Sequence, residues 1–230
     1  MKKTTDKLKD RNKPRSYARI GFIDIYLEIA IDACVQYLKD KHEHDVIVAE
    51  GGELHEGFMV YDRMEEYLAC GDRMTKEVIK TLTFLATFLE SYINDLSGIV
   101  LGDQYSRKHL DKLDLVSKWM IIPRLITGKE LDKSKSYYGK LKQLVSWRNQ
   151  LVHPKSSNLS NHLKSLNTPT FKPIRAIYEI VDVLDVFAML EDLFQDLDRI
   201  DKNGGHTYRI KSGIARIRRQ RALHSKEGTQ

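Results

Sequence analysis

Residues 138–155, YGKLKQLVSWRNQLVHPK, decide how the rest of the chain reads. Wound as an α-helix at about 100° per residue, the stretch sets Tyr138, Leu141, Val145, Arg148, Asn149 and Val152 on one face, which predicts a buried stripe. The stripe opens as ordinary core and closes on an arginine and an asparagine, and Pro154 ends it just after His153. Arginine is almost never fully buried without a partner, so Arg148 needs either a carboxylate from another element or an opening to solvent. Asn149 and His153, four apart, are neighbours on the helix surface, whereas Arg148 and His153 lie about 140° apart around the axis. All three can line one cleft only if a second surface, such as another copy of the chain, closes over the helix end.

The flanking pattern is helical throughout. Residues 75–101 carry the most continuous apolar stripe, Val78, Leu82, Leu85, Leu89, Tyr92, Ile93, Leu96 and Val100, with Thr75 or Asp72 as N-cap. Thr83, Glu90 and Ser97 recur every seven residues along its border. Residues 109–127 form another helix, which Pro123 should kink or end and Gly128 closes, and Asp132 caps the motif helix over about 133–153. Ile20 to Leu38 recur at helical spacing within a helix over 16–40, residues 41–52 read as a loop or edge strand, and a second helix spans 53–69, ending near Gly71. Beyond His153 a Ser/Asn-rich run bounded by prolines reads as a long loop in which His162 is solvated. Pro173 opens the last long helix, to about residue 200, whose Glu179, Asp182, Asp185, Asp192 and Asp196 form a solvated acidic face. The fold class is therefore all-α, an antiparallel bundle of about five to six helices over 16–203, with a basic arm at 1–15 and a basic amphipathic tail at 204–230.

The net charge of +6 is unevenly spread. Residues 1–19 hold eight Lys/Arg against two Asp, and 206–230 hold seven against one Glu, so the body between them is acidic. Basic ends on an acidic body suit nucleic-acid phosphates, and equally suit docking on the protein's own acidic helix. In the tail, Ile210, Ile214 and Ile217 alternate with Arg209, Lys211, Arg216, Arg218, Arg219 and Arg221, a basic amphipathic helix that fits RNA contact, a protein partner or a membrane surface. No apolar run is long enough to span a bilayer, and no signal-peptide pattern opens the chain. Cys34 and Cys70 offer neither a disulfide framework nor metal spacing, which points to a cytoplasmic protein with reduced thiols. His42 and His44 lack a third ligand, and His55-Glu56 meets Met59 where the HExxH zinc motif needs its second histidine. Nothing calls for a metal or a cofactor.

Arg148-Asn149, three intervening residues and then His153, at the end of a helix in an all-helical domain, resembles the RNxxxH motif of the HEPN superfamily, over residues 75–200 or so. The resemblance implies a four- or five-helix bundle that dimerises, two motifs meeting across the dimer, and metal-independent RNA cleavage. It also implies that a polar or acidic residue on an earlier helix faces the motif arginine, and Glu90 matches best. In the toxins of this superfamily that a partner enzyme silences, a tyrosine stands two residues after the motif histidine. Lys155 stands there in this chain, which speaks against that form of antitoxin control.

The chemistry expected of such a site follows from the side chains. Attack by a ribose 2′-hydroxyl needs a base, an acid for the leaving 5′-oxygen, and positive charge on the phosphorane. His153 titrates near neutrality and suits proton transfer, Arg148 can fork two phosphate oxygens, and Asn149 can orient imidazole or substrate. With one histidine per motif, acid and base come from two chains, so the nuclease depends on a homodimer. The alternative is a non-catalytic interaction module: Arg148 pairs with Glu90, Asn149 caps a buried backbone group, and His153 is held at a helix end, where the dipole favours its cation.

Overall fold

The computed structural model describes residues 22–55, 58–152 and 181–227. The longest element, α2 (Met64–Leu101), is the axle of the bundle. Its stripe of Val78, Leu82, Leu85, Leu89, Ile93 and Leu96 is almost wholly buried, each side chain contributing roughly 1.5–3 kcal/mol by leaving water. α1 (Ile23–Ala49) lies antiparallel along it, with Tyr26 beside Phe84 at one end and Arg73 bonded to Asp40 at 2.9 Å and to Glu43 at 2.6 Å at the other. Across the rest of α2 pack α3 (Asp103–His109), α4 (Leu115–Thr127) and α5 (Ser136–Val152). α6 (Val183–Ile200) runs antiparallel to α5, and α7 (His206–Glu227) lies against both α6 and α1. The result is an all-α helical bundle with seven helices among the described residues.

Several boundaries differ from those read in the sequence. The first helix continues through residues 41–49, where a loop or edge strand was expected, because Ile47 is buried and Arg73 clamps Glu43 of that stretch together with Asp40 just before it. The expected helix over 53–69 is instead a hairpin, β1 (Gly52–His55) paired antiparallel with β2 (Phe58–Tyr61), followed by the start of α2. Gly51, at φ +92°, turns the chain out of α1, and an Arg63–Glu50 ion pair of 3.1 Å closes the hairpin's base. Gly71, Asp72 and Thr75 all lie inside α2, so none of them ends or caps a helix.

Asp114 caps α4 through its side chain, accepting from the Ser117 amide at 3.0 Å. Pro123 sits inside α4 without ending it, and left-handed Gly128 closes it. Asp132 forms a turn with Ser134 four residues ahead of α5 rather than capping it. Asp182, extended at ψ 99°, caps α6 at Val183, so the helix expected over 173–200 is broken at 181–182, while the expected start at Pro173 lies outside the described residues. Residues 1–15, His153, His162 and Glu179 lie outside the described residues.

The basic tail is a docked helix rather than an appendage. Ile210, Ile214 and Ile217 are buried against α1 and α6, and at Gly213 an added Cβ would lie 2.1 Å from Ile31 Cδ1, so the Ile31 side chain of α1 packs directly on the α7 backbone there. Asp198 accepts from the His206 and Thr207 amides at 2.6 and 2.9 Å and so satisfies the N-terminus of α7.

Candidate functional site

Leu115, Lys118, Trp119 and Ile122 fall at i, i+3, i+4 and i+7 on α4, the spacing of a core-facing stripe. Trp119 is buried with its indole N–H donating to the Leu89 carbonyl at 3.3 Å, which fixes the height of α4 against α2. That bond brings Lys118, the residue before it, opposite Glu90, the residue after Leu89. Lys118 is only 2% exposed, and its ammonium lies 3.4 Å from Glu90 Oε1.

On α5 the buried side is Tyr137, Leu141 and Leu144, continued by half-buried Arg148 and Leu151. Arg148 thus stands at the end of the core stripe, its side chain 26% exposed, with one terminal nitrogen 3.0 Å from Glu90 Oε2. Its other terminal nitrogen donates to Asn149 Oδ1 at 3.2 Å. Asn149 and Val152 are exposed, not part of the buried face expected for them, because the stripe runs 137-141-144-148-151 and leaves them about 120° and about 60° from its centre line.

Three helices therefore deliver one carboxylate and two cations to a single seam. Each Glu90 oxygen faces a different cation, and with the carboxylate 36% exposed the seam opens to solvent at Glu90 and Arg148 while Lys118 lies beneath. The cluster holds two positive charges against one negative. Such an arrangement can present a guanidinium to a phosphate.

A second polar network anchors the start of α5. Asp196, expected on a solvated face, has a side chain with no exposure and accepts from Tyr137 Oη at 2.7 Å, Arg199 Nε at 2.7 Å, Lys135 Nζ at 2.8 Å and the Asp132 amide at 3.0 Å. Burial pushes this carboxyl up, but the Arg199, Asp132, Lys135 and Tyr137 donors outweigh it and hold the group well below the usual carboxylate range. Burial and the same carboxylate push the Tyr137 hydroxyl far up. Asp185, the other acid of that face that meets α5, pairs with Lys140.

A third buried group, unforeseen in the sequence, joins Tyr92, His206 and Asp201. Tyr92 Oη lies 2.5 Å from His206 Nδ1, and His206 Nε2 lies 3.2 Å from Asp201 Oδ2. The group adjoins a cavity of about 160 Å³ also lined by Asp95, Tyr208 and Arg209.

The basic residues assigned to RNA contact are not gathered at the motif. α7 packs on α1 and α6, whereas the Glu90–Arg148 seam lies among α2, α4 and α5. Arg209 pairs with Asp24 at 3.3 Å and lies over the Tyr92 ring, Arg216 with Asp32 at 2.6 Å, and Arg218 with Glu191 at 2.5 Å. Lys211, Arg219 and Arg221 are exposed. His42 and His44, two apart on a helix, point about 200° from each other, and among the described residues no group of three or more His, Cys, Asp or Glu is placed to hold a metal ion. No described helix is long and apolar enough to cross a membrane.

No protein-family model matches the chain, and no curated protein or solved structure matches it either.

Proposed function

We propose that this chain is an HEPN-like, RNA-directed protein acting in the cytoplasm as a homodimer, a metal-independent endoribonuclease of toxin, defence or RNA-processing type. The observation that carries this reading is the setting of Arg148: its guanidinium is positioned by Glu90 and Asn149 yet keeps a quarter of its surface open, in a cluster with an excess positive charge. A guanidinium so placed suits the developing charge of a phosphorane. His153, four residues after Asn149 in the sequence, would move the proton, with its counterpart supplied by the second chain.

The exposure of Asn149 supports the same reading, because a residue capping a buried backbone group would be covered. The second reading, a non-catalytic interaction module, is favoured by one specific feature, the sharing of Glu90 between Arg148 and buried Lys118, which ties three helices together. Any antitoxin would belong to either reading as a protein partner.

Light scattering on the purified chain, followed by incubation of the same sample with total RNA in EDTA, separates the two. A dimer that leaves 2′,3′-cyclic phosphate and 5′-hydroxyl ends, and loses activity in folded Arg148→Ala and His153→Ala, supports the nuclease. A monomer without cleavage, or cleavage abolished by chelator, overturns it.

A further inference from the structure

We propose that Glu90 is an internal stand-in for a phosphate group on Arg148, anchored by Lys118, so that the free site is held partly occupied and a phosphodiester binds by exchange; this rests on the reading that Arg148 takes the phosphate. Three observations lead there. Glu90 divides its oxygens, Oε2 on Arg148 at 3.0 Å and Oε1 on Lys118 at 3.4 Å. Among the described residues Glu90 is the polar partner of Lys118, an ammonium with three donors that is 98% buried. Finally, the carboxylate and the guanidinium are the exposed members of the cluster, so an incoming anion meets them first.

A phosphate that takes the outer edge of Arg148 displaces only Oε2. Glu90 stays tethered to Lys118 through Oε1, so the exchange needs no refolding of the seam and leaves the buried ammonium paired. The retained carboxylate then repels the phosphate a few ångströms away, and this repulsion holds ground-state affinity down. Removing the charge of Glu90 while keeping its shape therefore strengthens anion binding. If Glu90 served only to orient Arg148, the same change would weaken it.

The probe is a short, fully 2′-O-methylated oligonucleotide, which has no attacking hydroxyl and stays intact, with binding read by fluorescence anisotropy. Glu90→Gln is expected to bind on the order of tenfold more tightly than the wild type, with the gain absent in Glu90→Gln/Arg148→Ala. Because Glu90→Gln leaves Lys118 buried without its counter-charge, Glu90→Gln/Lys118→Met is measured beside it. That pair restores a seam without a buried ion pair and has the same net charge as the wild type, so general electrostatic attraction predicts equal affinity whereas the exchange mechanism again predicts tighter binding. Wild-type affinity or weaker in a folded variant, or no binding by any of these proteins, overturns the proposal. Cleavage of ordinary RNA in EDTA is scored separately: its absence refutes the nuclease reading, and the order of affinities decides the exchange mechanism.

Discussion

Asp196→Asn should destabilise the protein by about 2–4 kcal/mol at pH 7, and the size follows from its four donors. Lys135 and Arg199 have side chains that are 45% and 54% exposed, so both return to water when the charge is removed and each contributes under about 1 kcal/mol. The Tyr137 hydroxyl is buried, and its bond to a carboxylate, together with that of the Asp132 amide, cannot be re-formed with water. A hydrogen bond to a charged acceptor contributes about 1.5–3 kcal/mol and a neutral one about 0.5–1.5, and the new amide group adds donors where only donors converge. Most of the loss comes from these two.

The pH dependence gives the stricter test. The carboxyl of Asp196 is depressed in the folded state, so its contribution is complete above the unfolded value of about 3.9 and is lost as pH falls from there toward the folded value. Urea unfolding of wild type and variant at pH 7, 4 and 2.5 should show a constant gap down to about pH 4 and a narrowing one below it. A gap under about 0.5 kcal/mol at pH 7, the scatter of ordinary surface changes, would refute the claim that Asp196 latches α5. A gap of unchanged size at pH 2.5 would refute its electrostatic origin.

Cys34 should resist aromatic disulfide reagents at pH 8 until urea unfolds the chain, since burial first, and then the Asp182 carboxylate, push its thiol up to about 12; labelling in native buffer at the rate of a free thiol would contradict this. Gly213→Leu should cost about 1–3 kcal/mol by forcing α7 off Ile31, seen as a lower melting temperature with earlier tryptic cleavage within α7. Asp114→Ala removes the cap of α4 and should cost about 1 kcal/mol in chemical unfolding. Asp114→Asn, which keeps an acceptor oxygen, should recover most of that.

How much of this was legible in the sequence depends on the range of the interaction. The Glu90–Arg148 pair came from the family resemblance, which implies a polar or acidic residue on an earlier helix facing the motif arginine; Glu90, on the border of the longest apolar stripe, was its best match, and the two lie 3.0 Å apart. Lys118 was overlooked and Asp196 assigned to a solvated face although the signal existed: each occupies the i+3 place of an apolar stripe, Leu115-Lys118-Trp119-Ile122 and Leu193-Asp196-Leu197-Ile200, where a charge is either paired or misplaced. The hairpin was missed because four-residue strands carry too little period-2 pattern to outweigh helix formers beside them. His206 had no such signal. It follows a glycine pair, outside any periodic run, and only the fold brings Tyr92 to it across more than a hundred residues.

The two ion clusters differ in a way that bears on what each is for. Asp196 is fully covered, with every donor at 3.0 Å or less, which is the arrangement a buried carboxylate needs if its ionisation is to cost little. Glu90 is covered on one side only, its two cations stand at 3.0 and 3.4 Å, and the buried member of the trio is the cation that binds it least closely. Well-packed apolar side chains would hold the α2–α4–α5 seam at least as firmly as an incomplete ion cluster. A loosely satisfied carboxylate with an open face is poor cement, but it can let go of one partner while keeping the other. That property is useful where Arg148 must accept an outside anion, and serves no purpose where it only joins helices, which is why affinity in the Glu90→Gln series, rather than stability, is the quantity that discriminates.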